Sequence, residues 1–170
     1  MPYVPPKHCS HCGSLLEAIT GKPGQRSCRA EQCRMITYLS PVPVVAAIVE
    51  HDGAVILVRG HGWPDSWYGL VTGFLEFEEH PEAAVRREVG EELGLVVETS
   101  GLVGVYPFAQ MNQVIIAYHL NTSGEIAIDG TELAGFKRVP LDDLTPWDFG
   151  TGAAVRDFLA LRRAGVPLSR

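Results

Sequence analysis

The chain has 170 residues, 46% of them hydrophobic, with a formal net charge of −6, which suits one catalytic domain and a small accessory module. The negative charge argues against general binding to nucleic acid or to a membrane through a basic surface. No apolar run reaches the roughly 18–20 residues of a membrane span, and the N-terminus lacks a signal-peptide pattern, so we expect a cytoplasmic protein.

Residues 1–40 form a predicted small domain that contains all four cysteines of the chain: Cys9, Cys12, Cys28 and Cys33. The segment has too few apolar residues for a core of its own, and small units of this kind usually need a staple. Two closely spaced cysteine pairs supply four thiolates for tetrahedral Zn²⁺. We therefore predict a structural zinc ribbon. Free thiols, or a disulfide formed on oxidation, are the alternative.

Residues 41–170 are predicted to form the second domain, after the boundary at Ser40-Pro41. Its early strands are expected at 42–49, 54–59 and 68–74. A loop is expected at 60–67. Asp52-Gly53 is a strong hairpin turn between the first two strands. The expected fold class is α/β (α+β), with a mixed β-sheet flanked by helices.

A helix is predicted over 81–93, because Pro81 suits a first helical turn and Gly94 suits a C-terminal cap. Later strands are expected near 102–108, 113–121 and 132–139. A last helix is expected to begin at Thr151 or Gly152 and to reach about Ala164.

The predicted helix over 81–93 places three carboxylates, Glu88, Glu91 and Glu92, beside its apolar stripe. Like charges one turn apart cost about 0.2–0.5 kcal/mol even when they are exposed. A hard divalent cation such as Mg²⁺ or Mn²⁺ removes that repulsion and prefers oxygen ligands. The alternative is a solvated charged face whose arginines form local ion pairs.

The spacing of residues around this helix is more specific than its charge. Seven charged or glycine positions and two aliphatic ones match every position of the Nudix box: Gly73, Glu79, Arg87, Glu88, Val89, Glu91, Glu92, Gly94 and Leu95. The chain therefore resembles the Nudix hydrolases. This resemblance implies a Nudix fold, a mixed sheet between helices, and metal-dependent cleavage of a nucleoside diphosphate linked to another group.

The resemblance also implies roles for individual residues. Glu88, Glu91, Glu92 and the main-chain carbonyl of Thr72 match metal ligands of the family. Gly73, Glu79, Arg87 and Gly94 match structural positions, with Arg87 pairing with Glu79 to fix the loop against the helix. For catalysis, Glu88 or Glu92 orients the attacking water, and Glu132 matches a further catalytic or metal-binding glutamate. The alternative for Glu132 is an exposed charge at a strand edge.

A zinc ribbon ahead of the box resembles the NADH pyrophosphatases and the ribbon-bearing hydrolases of ADP-ribose and FAD. This resemblance implies a small-molecule substrate such as NADH, NAD, ADP-ribose or FAD. Tyr106, Phe108 and Trp67 are expected to contact it, unless these rings only pack the sheet. The chain departs from the NADH pyrophosphatases after the box, where only Pro107-Phe108 of their Ser-Gln-Pro-Trp-Pro-Phe segment is present.

Two other functions remain open at this point. Nudix folds also serve as non-catalytic nucleotide sensors, although a sensor does not need every metal ligand of the box. Alternatively, the ribbon of a Nudix enzyme binds RNA, although the overall charge makes nucleic acid an unfavoured partner. The enzymes that this chain resembles are often dimers, so a homodimer is an open alternative as well, although nothing in the sequence marks an interface.

Overall fold

The computed structural model describes residues 3–128 and 130–168 in two compact units. One unit comprises the chain up to Val42 together with Ala109–Gln113, and the other comprises Pro43–Phe108 and the chain from Val114 onward. The sequence assigned 109–113 to the second domain. In the structure this segment groups with the N-terminal unit, where the Asn112 side chain donates to the Ser40 carbonyl over 3.0 Å.

The N-terminal unit contains a three-stranded antiparallel sheet in the order β1-β2-β3. Its strands are β1 Leu16–Ala18, β2 Gln25–Cys28 and β3 Ile36–Tyr38. Among its described hydrophobic residues, only Cys9 and Leu16 are buried. Such a small core leaves this unit dependent on another source of stability.

The larger sheet has six strands in the order β7-β8-β4-β5-β9, with β6 also paired to β4. The strands are β4 Val42–His51, β5 Ala54–Gly60, β6 Val71–Phe74, β7 Val96–Phe108, β8 Gln113–Ser123 and β9 Leu133–Pro140. The helices are α1 Pro81–Leu93 and α2 Gly152–Arg163, with short 3₁₀ turns at Ala109–Met111 and Leu141–Asp143.

Strand directions in this sheet are mixed. β5 and β6 run antiparallel to β4, whereas β8 runs in the same direction as β4. The parallel direction follows from two contacts, because His119 lies beside Glu50 and Thr122 lies beside His51. The predicted mixed sheet is therefore confirmed.

Each helix packs against its own face of the sheet, which explains why β4 is apolar from Val44 to Val49. Val45, Ala47 and Val49 belong to the core cluster with α1, whereas Ala46 and Ile48 belong to the cluster with α2. A strand covered on both faces needs apolar side chains at every position instead of alternate ones. The predicted arrangement, a sheet between helices, is confirmed.

The ends of α1 follow from the residues that the sequence places there. The ring Nδ1 of His80 accepts a hydrogen bond from the Glu82 N–H over 3.2 Å, and Pro81 occupies the first turn. Gly94 has φ 67° and donates its N–H to the Gly90 carbonyl over 3.0 Å. Only glycine adopts this left-handed conformation readily, so the helix ends there.

Within the described residues, neither helix has both the length and the hydrophobicity to cross a membrane.

Candidate active site

Helix α1 carries three carboxylates toward the end of β6, and the loop before β9 supplies a fourth from Glu132. The most buried of them is Glu92, which is only 6% exposed. Burial, and then the charges of Glu88, Glu132 and Glu91, raise the pKa of Glu92 to about 8. The charges of the other three carboxylates therefore oppose ionisation of Glu92.

Glu88 lies directly over the backbone of Gly73. A β-carbon added at Gly73 would come within 1.9 Å of both the Cδ and the Oε1 atoms of Glu88. Burial raises the pKa of Glu88, and the nearby Arg87 guanidinium partly offsets that rise. The glycine is therefore needed for space, because any side chain would displace this carboxylate.

Arg87 connects the loop before α1 to the helix. Its Nε and Nη2 atoms donate to the two oxygens of Glu79, both over 2.9 Å. Nη1 donates to Glu88 over 2.8 Å and to Glu91 over 3.0 Å, and Nη2 also reaches the Phe74 carbonyl over 3.1 Å. One guanidinium thus orients two of the carboxylates that the sequence assigned to metal binding.

The carboxylate of Glu92 is one of the groups that the sequence assigned to a divalent cation. Its Oε2 atom is buried and has no hydrogen-bond partner in the part of the chain that the structure describes. A buried carboxylate oxygen normally has a partner or a metal. The residues that would hold Mg²⁺ or Mn²⁺ here are Glu88, Glu91 and Glu92, with the carbonyl of Thr72, which directly precedes Gly73 on β6.

The four cysteines of the N-terminal unit converge as a separate cluster. Their sulfur atoms all lie within 4.8 Å of one another, with Cys9 to Cys33 at 3.8 Å and Cys12 to Cys28 at 3.4 Å. Zn–S bonds of about 2.3 Å in a tetrahedron place sulfur atoms about 3.8 Å apart. The cluster therefore fits a zinc ion, and four protein ligands leave no position for a substrate.

Two of the three predicted substrate aromatics lie on the α2 side of the sheet, away from the face that α1 covers. Tyr106 and Phe108 pack with the α2 core cluster. The Tyr106 hydroxyl donates to Asp157 over 2.9 Å, and the Phe108 ring meets Phe149 edge-on at 5.0 Å. This placement matches the packing alternative, so we leave both rings out of the proposed site. Trp67 is exposed in the loop after β5.

Sequence reasoning missed one residue near the carboxylates, His61 in the loop after β5. Its ring Nε2 lies 3.0 Å from the Gly130 carbonyl, and its backbone N–H donates to the Glu132 carbonyl over 3.2 Å. These contacts join residues about 70 positions apart, and no local pattern in the sequence signals them.

A groove of about 430 Å³ lies elsewhere, between the first half of β7, the second half of β8 and α2. Glu50 lies beside it and accepts from both His119 and Arg162, over 2.8 and 2.9 Å. None of the carboxylates of the α1 cluster lines this groove, so it is distinct from the candidate metal site.

The family profile of the NUDIX domain matches residues 40–159. A protein of Pseudomonas aeruginosa named NAD-capped RNA hydrolase NudC is 27% identical over 163 residues, which cover 94% of this chain and 58% of that relative. The chain thus spans just over half the length of this curated relative.

Solved structures show the same fold. A NUDIX hydrolase from Nitrosomonas europaea is similar with a TM-score of 0.74 at 24% identity, over 96% of each chain. The NUDIX domain of NrtR from Shewanella oneidensis, solved with ADP ribose, has a TM-score of 0.60 at 21% identity, over 74% of this chain and 89% of that one. At such identities the likeness concerns the fold alone.

Proposed function

Since the chain belongs to the NUDIX domain family, as its box residues predicted, we propose that it is a metal-dependent hydrolase of a dinucleotide-like nucleoside diphosphate. The bond cleaved is the diphosphate linkage. One observation carries the proposal: the buried Glu92 carboxylate has an oxygen without a described partner and lies among three further carboxylates.

Bound Mg²⁺ or Mn²⁺ supplies charge neutralisation for the diphosphate and acidifies the attacking water. Glu88, Glu91 and Glu92 would hold the ion. Arg87 keeps Glu88 and Glu91 oriented through its bonds of 2.8 and 3.0 Å. Glu132 accepts the proton from the attacking water, since a carboxylate beside the cluster is suited to general base catalysis.

The proposed substrates are NAD(H), ADP-ribose and FAD. Support comes from a relative named for NAD-capped RNA. The relative's name also brings an RNA-linked dinucleotide into consideration, although we predict from the net charge of −6 that nucleic acid is unfavoured as a partner. A nucleotide-capped RNA therefore belongs in the test.

The decisive experiment measures hydrolysis of NADH, NAD, ADP-ribose, FAD, NAD-capped RNA and nucleoside triphosphates with Mg²⁺ or Mn²⁺. We expect metal-dependent cleavage of a dinucleotide-like diphosphate. Glu88→Gln and Glu92→Gln should each lower kcat by at least about 10²-fold, the size of a lost electrostatic contribution. Near-normal turnover in both variants contradicts the site, and preference for a triphosphate contradicts the substrate class. Binding of nucleotide without any turnover would identify a sensor instead.

A further inference from the structure

The loop after β5 contacts the backbone around Glu132 at two points. We infer that His61 is a positioning residue that holds Glu132 in place for proton transfer. This inference rests on the proposed function, because it gives His61 a role only through Glu132.

Both contacts of His61 involve the main chain on either side of Thr131. Its backbone N–H donates to the Glu132 carbonyl over 3.2 Å. Its ring Nε2 lies 3.0 Å from the Gly130 carbonyl. A carbonyl oxygen only accepts hydrogen bonds, so Nε2 must carry the hydrogen in this contact. The ring therefore restrains the segment that leads into Glu132, and the backbone bond restrains Glu132 itself.

The loop that carries His61 is anchored at its base. Gly60 pairs with Leu133, the residue that follows Glu132. The Trp63 ring covers both Gly60 and Gly69, since a β-carbon at either position would meet it at 3.4 Å. Arg59 also donates to Asp65 over 2.9 Å across the loop. His61 thus extends from an anchored segment, which makes it an effective restraint.

Glu132 needs such a restraint because it is exposed and precedes the first residue of β9. Its negative charge nevertheless helps to raise the pKa of both Glu88 and Glu92 on α1. A general base must lie within hydrogen-bond reach of the water that it deprotonates. An exposed carboxylate on an unrestrained loop would occupy that position for only part of the time.

The test is a double-mutant cycle with the full chain and the substrate that the panel identifies. His61→Ala should lower kcat about tenfold, as expected for a misplaced catalytic group, and should change KM less than twofold. His61→Gln should retain most of the activity, because its side-chain amide also donates a hydrogen bond. In the Glu132→Gln background, His61→Ala should cause no further loss, since the group it positions is already gone.

Melting temperatures of all variants separate positioning from folding. Equal losses from His61→Ala in both backgrounds would overturn the inference, as would full activity of His61→Ala in an otherwise unaltered chain. Failure of the wild-type chain to hydrolyse any nucleotide would overturn the proposed function together with this inference. An active wild-type enzyme with an unaffected His61→Ala variant would overturn this inference alone.

Discussion

At the scale of single residues, the site depends on the contact between Glu88 and the backbone of Gly73. The box glycine has no unusual φ in this structure, so conformational freedom does not explain it. Its lack of a side chain does, because the Glu88 carboxylate occupies the place of the missing β-carbon. The sequence marked Gly73 as structural, and the geometry supplies the physical reason.

We therefore expect Gly73→Ala to lower kcat/KM by at least about tenfold. The added β-carbon displaces the Glu88 carboxylate, and a displacement of the order of 1 Å in an active site lowers the reaction rate strongly. Gly135→Ala on β9 is the matched control, since a β-carbon there meets nothing within 4 Å. The measurement is steady-state hydrolysis at saturating metal. Equal activity of the two variants would contradict the explanation.

At the scale of elements, the pair of Arg87 and Glu79 joins the loop before α1 to the helix. Hydrogen bonds from Arg87, and then one from the Glu76 N–H, lower the pKa of Glu79 from 4.5 to about 2. A carboxylate with a lowered pKa stabilises the fold while it is ionised. Its contribution is complete above pH 4.5 and disappears as the pH falls toward 2.

Glu79→Gln should consequently lower the free energy of unfolding most at neutral pH, and the difference from wild type should shrink below pH 4.5. Urea unfolding at a series of pH values, without divalent metal, measures this difference. Glu78→Gln, at an exposed neighbour in the same loop, is the control. A difference that stays constant with pH would count against the pair as its source.

The N-terminal unit leads to a separate prediction. Purified protein should contain about one zinc per chain, as four thiolates in tetrahedral range imply. Cys33→Ser should abolish zinc retention and lower the melting temperature, while kcat changes little, since this cluster is closed to substrate. Ser10→Ala, between two of the cysteines, controls for local substitution. Elemental analysis without zinc in chelator-free protein would contradict the assignment.

Some elements were predictable because local chemistry determines them. Pro81 and Gly94 mark the two ends of α1, and the predicted range 81–93 agrees with the structure. β7 was predicted from 102 but begins at Val96, because Glu98, Ser100 and Gly101 interrupt its apolar pattern. The ribbon strands were not predicted because they are three or four residues long and only one of their residues, Leu16, is buried.

At the scale of the whole molecule, the sequence predicted the layers of the fold but not the contacts between segments that are far apart in the chain. The apolar run of β4 indicated burial, and the two faces of the sheet account for it. The position of Tyr106 on the α2 side depends on which face of the sheet it points to, and the motif spacing does not encode that. The bonds from His61 to the loop before β9 likewise depend on strand order.

The buried Glu92 carboxylate also has a thermodynamic consequence for the entire chain. Folding places this group where water no longer solvates it and where the charges of three other carboxylates oppose its ionisation, so the ion-free protein folds against an opposing contribution. A cation that binds only the folded state offsets this contribution, because it stabilises that state by about 2.7 kcal/mol at a free concentration of 100 times its Kd. That corresponds to a rise of roughly 5–10 °C in melting temperature for a chain of this size.

We expect Mg²⁺ to raise the melting temperature of the wild-type protein by several degrees, and that of Glu92→Gln by much less. Without divalent ions, Glu92→Gln should be at least as stable as wild type, although it alters a buried residue. Differential scanning calorimetry with magnesium and with chelator measures both effects. Equal magnesium shifts in the two proteins would contradict this reasoning. The carboxylate proposed to hold the metal then makes free magnesium a determinant of how much of the chain is folded.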